Sequence, residues 1–320
     1  MNAENVIEVH GLTRRYGNLV AVDGVDFSVR RGEVFGFLGP NGAGKTTTVR
    51  MLTGVIKPSA GTALVDGHDV VAESVLSRDR LGIVPEQANV YEDLSVWHNV
   101  MLMAELHGVP RKRRRERGEE LTELFGLADR RGRKGRSLSK GLRQRLMLCM
   151  AMVSDPVILF LDEPTTGLDV ASAHLIRELI ARENREKRTT IFLTTHNIQE
   201  ADDICSRIAI INTGRIAAID TPEALRDSVE ASRSVEVSFA EGGPDRPDFS
   251  KVETVEEVKR LARGVRLYTR KPGRVAQEVA CLARDKGLLI ETLVTRGPSL
   301  EDVFLHITGT ASAEHGGPDE

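Results

Sequence analysis

The stretch "EVFGFLGPNGAGKTTTVRML", residues 33–52, decides how the rest of the chain is read. "EVFGFLG" is an apolar run that predicts a buried strand. A helix is expected from about Thr46 to Leu52, with Gly54 able to end it. Between them, residues 39–46 fit G-x-x-x-x-G-K-[ST] in the strand-then-helix setting that gives this pattern its meaning. Glycines there let successive backbone N–H groups point inward at phosphate oxygens. The helix N-terminus adds favourable partial charge. Gly39, Pro40, Asn41, Gly42, Ala43, Gly44, Lys45, Thr46 and Thr47 are therefore the candidate nucleotide-binding residues. Lys45 is expected to reach the β- and γ-phosphates, and Thr46 to offer its hydroxyl to Mg²⁺.

Working outward, "VIEVHGL" and "LVAVDGVDFSV" read as short strands, with Asp23-Gly24 as a turn signal. "GTALVDG" is another hairpin-like piece. From about residue 90 to 152 the pattern turns helical: "SVWHNVMLMAELHG" repeats apolar residues at helical spacing until Gly108-Val109-Pro110 stops it. "VILFLDEP" and "TTIFLTTH" are short apolar strands of the parallel, buried type, and "VASAHLIRELIARENREK" lies between them. That is a βαβ unit. "RIAIINTGRIAAID" is a hairpin, and Pro222 opens a short helix. The expected division is a domain over 1–225, a small α+β domain over 226–308 with a loop at 241–248, and a disordered tail over 309–320.

The bulk numbers agree with a globular protein. The chain has 320 residues, 40% hydrophobic and 28% charged, enough for about two domains. Net charge is −3, so no global field recruits nucleic acid. Cys149, Cys205 and Cys281 show no Cys-x-x-Cys spacing and read as small buried apolar residues of a reduced, cytosolic chain. "MNAENVIEVH" lacks the features of a signal peptide, and no apolar run approaches a membrane span.

Other stretches carry chemistry. Asp162 stands at the exit of a buried strand, where a carboxylate can hold Mg²⁺, and Glu163 follows at once. Two adjacent carboxylates permit one to hold metal and the other to polarise water. His196 ends a further strand and is placed to touch the γ-phosphate and the attacking water. Then comes a puzzle. "SLSKGLRQRL", residues 137–146, is a polar loop opening into an Arg-rich helix: a second anion-binding helix start. A single site does not need two. If the second cradle serves another molecule's ATP, two chains sandwich two nucleotides.

With these residues in view, the chain resembles the ATP-binding subunit of an ABC transporter, most closely the ABC-2 type, drug-export (daunorubicin-resistance-like) group. The likeness covers about residues 5–225, and the terminal "GPSLEDVFLHITG" resembles the end of the same group. It implies a RecA-like P-loop core with an antiparallel β subdomain and an α-helical subdomain at about 90–152. Residue by residue, Tyr16 matches the aromatic that stacks on adenine. Ser139, Lys140 and Gly141 sit in the signature that acts on the partner's ATP. Asp162 and Glu163 match the metal-holding aspartate and the general base. Asp169 matches the loop coupling the two sites across a dimer, and His196 the switch histidine.

Two departures stand out. Lys140 and Leu142 replace a glycine and a glutamine of the signature, while Ser139 and Gly141 keep the hydroxyl and the exposed amide. Where the family places a glutamine after a proline, to meet Mg²⁺, this chain has Glu86, with Gln87 next; the sequence leaves both open.

The resemblance implies a Mg²⁺-dependent ATPase at the cytoplasmic face of the membrane. It further implies a dimer, expected to be a homodimer, and a separately encoded integral membrane permease. A soluble or regulatory ATPase of the same family is the alternative. A GTPase switch is disfavoured because no N-K-x-D motif occurs. "RKRRRER", residues 111–117, has no interleaved aromatics and reads as a solvated helix start rather than a nucleic-acid site. Trp97 reads as core.

Overall fold

A computed structural model describes residues 5–87, 89–228, 233–240, 249, 252, 254–261 and 263–309. The expected loop at 241–248 and the tail beyond Gly309 lie outside the described residues. The chain separates into two compact units, residues 1–221 and 222–320.

The first unit begins with β1 (Asn5–Tyr16), β2 (Leu19–Arg30), β3 (Val34–Leu38), α1 (Lys45–Leu52), β4 (Ala60–Val65), β5 (His68–Asp69), α2 (Ser74–Asp79) and β6 (Leu81–Val84). It continues with α3 (Val96–Leu106), α4 (Arg111–Leu124), α5 (Lys140–Ala151), β7 (Ile158–Asp162), α6 (Val170–Lys187), β8 (Thr190–Thr195), α7 (Ile198–Ile204), β9 (Arg207–Asn212) and β10 (Arg215–Asp220). One antiparallel sheet runs β2-β1-β4-β5, and a larger sheet runs β10-β9-β3-β8-β7-β6. In the larger sheet every neighbouring pair is parallel except β9 with β10. Both β7 and β8 are buried along their whole length, which is why they read as unbroken apolar runs. Phe27 of β2 stacks on Phe35 of β3 at 5.7 Å and approaches Phe192 of β8 at 6.0 Å, so aromatic rings join the two sheets.

Parallel register does the functional placing. Leu38 pairs with Thr195, and Asp162 with Thr194, so β3, β7 and β8 all end at one edge. Ligands in open α/β sheets bind outside the carboxyl ends of the strands.

Several expectations need correction. Asp23-Gly24 is no turn. The turn is at Gly17-Asn18, because Tyr16 pairs directly with Leu19. Between the pairs Leu12–Val25 and Arg14–Val22, β2 carries one extra residue, a bulge with Gly24 at φ 60°. Tertiary partners hold it: Gly24 N–H donates to Thr13 Oγ1 at 3.0 Å and Asp23 N–H to the Gly214 carbonyl at 2.8 Å. Nor is the basic run wholly solvated. Arg117 is buried, donating to the Met152 carbonyl at 2.9 Å and pairing with Asp155 at 2.7 Å. Trp97 is half-buried, its ring under the Arg131 guanidinium and close to Gly118, where a Cβ would strike Met101 Cε and lie 3.1 Å from the Trp97 ring. Cys149 and Cys205 are buried, and burial pushes both thiols well up; Cys281 is exposed.

The second unit contains α8 (Pro222–Asp227), β11 (Ser234–Phe239), β12 (Glu257–Leu261), β13 (Gly264–Tyr268), α9 (Pro272–Asp285), β14 (Ile290–Arg296) and α10 (Leu300–Thr308). The α8 helix, which the sequence reading left mostly in the first domain, meets α10 and groups here. The sheet is antiparallel, in order β12-β13-β11-β14. Val235, Val237, Val265 and Leu267 pack with Val275 and Val279 of α9 as its core. Ser299 and Asp302 form a capping box at the start of α10.

Candidate functional site

The loop between β3 and α1 is held by its surroundings. Gly39 N–H donates to the Thr195 carbonyl at 3.2 Å, and the Ala43 carbonyl accepts from Gly214 at 3.0 Å. Gly44 has φ 105°, and a Cβ there would lie 2.6 Å from the Ala21 carbonyl oxygen. Only glycine fits that position. Pro40 accepts from Ala43 N–H at 3.2 Å, closing the loop. Lys45 is nearly buried and its Nζ donates to the carbonyls of Gly39 at 2.7 Å and Pro40 at 3.1 Å. Asn41, Gly42, Gly44, Lys45, Thr46 and Thr47 line a cavity of about 470 Å³, and Tyr16 of β1 lines it too.

The carboxylates arrive from β7. Asp162 Oδ1 accepts from Thr46 Oγ1 at 3.3 Å and from Thr194 Oγ1 of β8. Glu163, the next residue, sits at φ 52°, in a region that costs a non-glycine residue about 1–3 kcal/mol. Its N–H donates to the Thr194 carbonyl at 3.0 Å, which holds the conformation. Glu163 Oε2 accepts from Thr166 Oγ1 at 2.9 Å and lies 2.8 Å from His196 Nδ1. Glu163 Oε1 lies 3.2 Å from Lys45 Nζ, an ion pair without hydrogen-bond alignment, so this buried oxygen has no hydrogen-bond partner. The result is a carboxylate with one oxygen held by hydrogen bonds and the other facing only the Lys45 charge among its polar neighbours. His196 and Glu86 line that cavity as well; Gln87 does not.

The residues of the second cradle gather elsewhere. Ser139 caps α5, its Oγ accepting from Leu142 N–H at 3.4 Å. Lys140 is the first residue of that helix, with its Nζ close against Gly167. Gly141 is buried against α6, and a Cβ there would stand 2.7 Å from Ser172 Oγ. Asp169 caps α6 through Ser172 N–H at 2.8 Å and Ser172 Oγ at 2.7 Å; these bonds hold its carboxyl below the ordinary aspartate value. None of these residues lines the Lys45 cavity. Within one chain the two cradles are separate.

Three contributors carry little or no signal in the sequence. Thr194 and Thr166 position the two carboxylates. Glu200 of α7 is 1% exposed, and its Oε1 accepts from Thr165 Oγ1 at 2.7 Å. Burial pushes its carboxyl up, against the pull of hydrogen bonds from Thr195 and Thr165, and the nearby Glu163 charge adds to the rise. The one clue was its place three residues after Asn197, whose Oδ1 accepts from Glu200 N–H at 3.2 Å.

The sequence matches the ABC transporter family over residues 22–166. Daunorubicin resistance ATP-binding protein DrrA3 of Streptomyces coeruleorubidus is 37% identical, over 96% of this chain and 97% of its own. Nod factor export ATP-binding protein I of Ralstonia nicotianae is 36% identical, over 95% and 94%. Among solved structures, cbiO1 from Clostridium perfringens, part of the ABC transporter complex cbiONQ, matches with a TM-score of 0.64 at 27% identity, over 69% of this chain and 90% of that one. The dimeric ATP-binding cassette MJ0796, in a post-hydrolysis state bound to ADP and Pi, gives 0.61 at 25% identity, over 67% and 98%.

Proposed function

This chain belongs to the ABC transporter family, among its ATP-binding proteins, and on that footing we propose that it hydrolyses ATP to power a membrane exporter. The observation that carries the reading is Glu163, held between His196 and Lys45 beneath the phosphate loop.

The chemistry follows from the contacts. Phosphate oxygens entering the loop compete for Lys45, drawing it off Glu163. The freed Glu163 Oε1 then accepts a hydrogen bond from a water, and Oε2 stays fixed by Thr166 and His196. Glu163 thus orients that water in line with the γ-phosphate and takes its proton. Lys45 and the backbone N–H groups of residues 39–47 stabilise the charge that spreads over the phosphoryl oxygens. Thr46 and Asp162, with Glu86 in the same cavity, are hard oxygen donors of the kind that would hold a Mg²⁺ ion. When bound, that ion would supply positive charge to offset that of the phosphates.

Ser139, Lys140 and Gly141 complete the site of a second copy, making the working unit a homodimer with two ATP at its interface and Asp169 at the join. Closing and opening of that dimer drives a separately encoded permease at the cytoplasmic face of the membrane. No helix among the described residues is long and apolar enough to cross a membrane itself. The names of the relatives, daunorubicin resistance and Nod factor export, support an export role, and the proposed cargo is a drug, antibiotic or lipid-like compound. Complementation tests the shared site. Lys45→Ala and Ser139→Arg proteins, each inactive alone, should recover part of the ATPase activity on mixing. Failure to recover, with turnover per chain independent of dilution, would sink the two-chain site.

A further inference from the structure

We infer that Arg14 is a positioning residue for the nucleotide base: it backs one face of the Tyr16 ring and leaves the other as a fixed stacking platform. The inference rests on the ATP-binding reading above. Alternation along β1 puts residues 14 and 16 on one side of the strand. The Arg14 guanidinium carbon stands 4.6 Å from the Tyr16 ring centroid. Tyr16 is 43% exposed, at the very end of β1 beside the Gly17 turn, and it lines the phosphate-loop cavity together with Leu19. A ring so placed has few neighbours to stop its rotation. Ordering it on binding costs rotamer entropy, and a partner already holding it removes that cost.

Arg14 is itself held. Its Nη1 donates to the Lys57 carbonyl at 2.7 Å. Its Nε is buried with no hydrogen-bond partner, and its guanidinium carbon lies over the Tyr16 ring. The segment it grips is tied to β1 on both sides: Arg15 N–H donates to Ser59 Oγ at 3.0 Å, and Ser59 N–H to the Thr13 carbonyl at 2.7 Å. Lys57 follows closely on α1, the helix whose first residue is Lys45. Arg14 therefore links the base end of the site to the element that carries the phosphate end. A guanidinium suits this place because it is planar, always charged and stacks well on aromatic faces.

The test separates base from phosphates. The full-length protein and its variants are titrated in a calorimeter with ATP and with inorganic tripolyphosphate, both with Mg²⁺. Arg14→Ala should weaken ATP binding by about fivefold, the scale of one partly exposed cation–π contact. It should leave tripolyphosphate binding as it was, and Arg14→Lys should fall between. In a Tyr16→Ala background, Arg14→Ala should add nothing, since the two act as one unit. Unchanged ATP affinity, equal weakening of both ligands, or additive losses in the double variant would each overturn the inference. Failure of the unaltered protein to bind ATP while binding tripolyphosphate would overturn the ATP-binding reading, and the inference with it.

Discussion

At the nucleotide face of the first unit, Lys45, Asp162, Glu163 and Glu200 are all less than a tenth exposed. In the second unit, no charged side chain among the described residues is buried to that degree. There Glu236 gathers Arg266 and Arg296 from neighbouring strands at the surface, while the interior is valine and leucine. Backbone strain divides the same way: every described non-glycine residue at positive φ lies in the first unit, Glu163 among them. Buried charge and strained backbone both lower stability, and they persist where surrounding contacts over-determine them. The contrast teaches where to look for chemistry. The nucleotide face holds buried charges where the proposed reaction needs them, whereas the described residues of the second unit follow ordinary packing rules.

Substitutions on each side should therefore fail differently. Glu163→Gln should lower turnover by about 10²–10⁴-fold while ATP still binds, because general-base catalysis is lost and the shape is kept. Sedimentation with ATP and Mg²⁺ should show a trapped dimer; a monomer would break the comparison at its strongest point. Leu267→Ala, in the core of the second unit, should cost that unit about 2–5 kcal/mol in denaturant unfolding. A loss confined to catalysis there would show the second unit to be part of the active centre.

Glu200 sharpens the contrast. Glu200→Ala should destabilise by about 1–3 kcal/mol, since Thr165 Oγ1 loses its buried acceptor. Glu200→Gln keeps that acceptor, and its effect depends on pH. Burial raises the folded-state value above the ordinary glutamate 4.5, so between the two values the folded protein holds a proton that the unfolded chain has released. Stability from this group is thus present below 4.5 and lost as pH rises through the raised value. The melting temperature of Glu200→Gln relative to the unaltered protein should therefore increase with pH above 4.5, and a flat difference would refute the assignment. Ser299→Ala is the mildest: loss of the capping box should cost about 1 kcal/mol in thermal unfolding, with ATP turnover at 25 °C unaffected.

Much of the nucleotide site was legible because its parts are contiguous. Residues 39–47 lie on one loop, and a Gly-Lys-Thr pattern between strand and helix admits few other readings. Asp162, Glu163 and His196 were legible as strand ends. The bond between Glu163 and His196 was not, since 33 residues separate them. Glu86 and Gln87 read alike in the sequence, and of the two Glu86 lines the Lys45 cavity. Asp23-Gly24 misled because a turn dipeptide and a bulge ask the same backbone freedom of glycine, and only the register of β1 against β2 tells them apart.

The sequence alone determined the α/β class, the phosphate-loop pattern and the candidate catalytic side chains, since each is a local pattern with a local cause. Tertiary structure decided which groups meet: that Lys45 rests on Glu163, that Thr194 braces Asp162, that Arg14 backs Tyr16. It also kept residues 139–141 out of the Lys45 cavity. The reason is physical. A hydrogen bond or ion pair depends on separation in space to within an ångström, and strand order, unlike strand content, sets that separation for residues far apart in the chain.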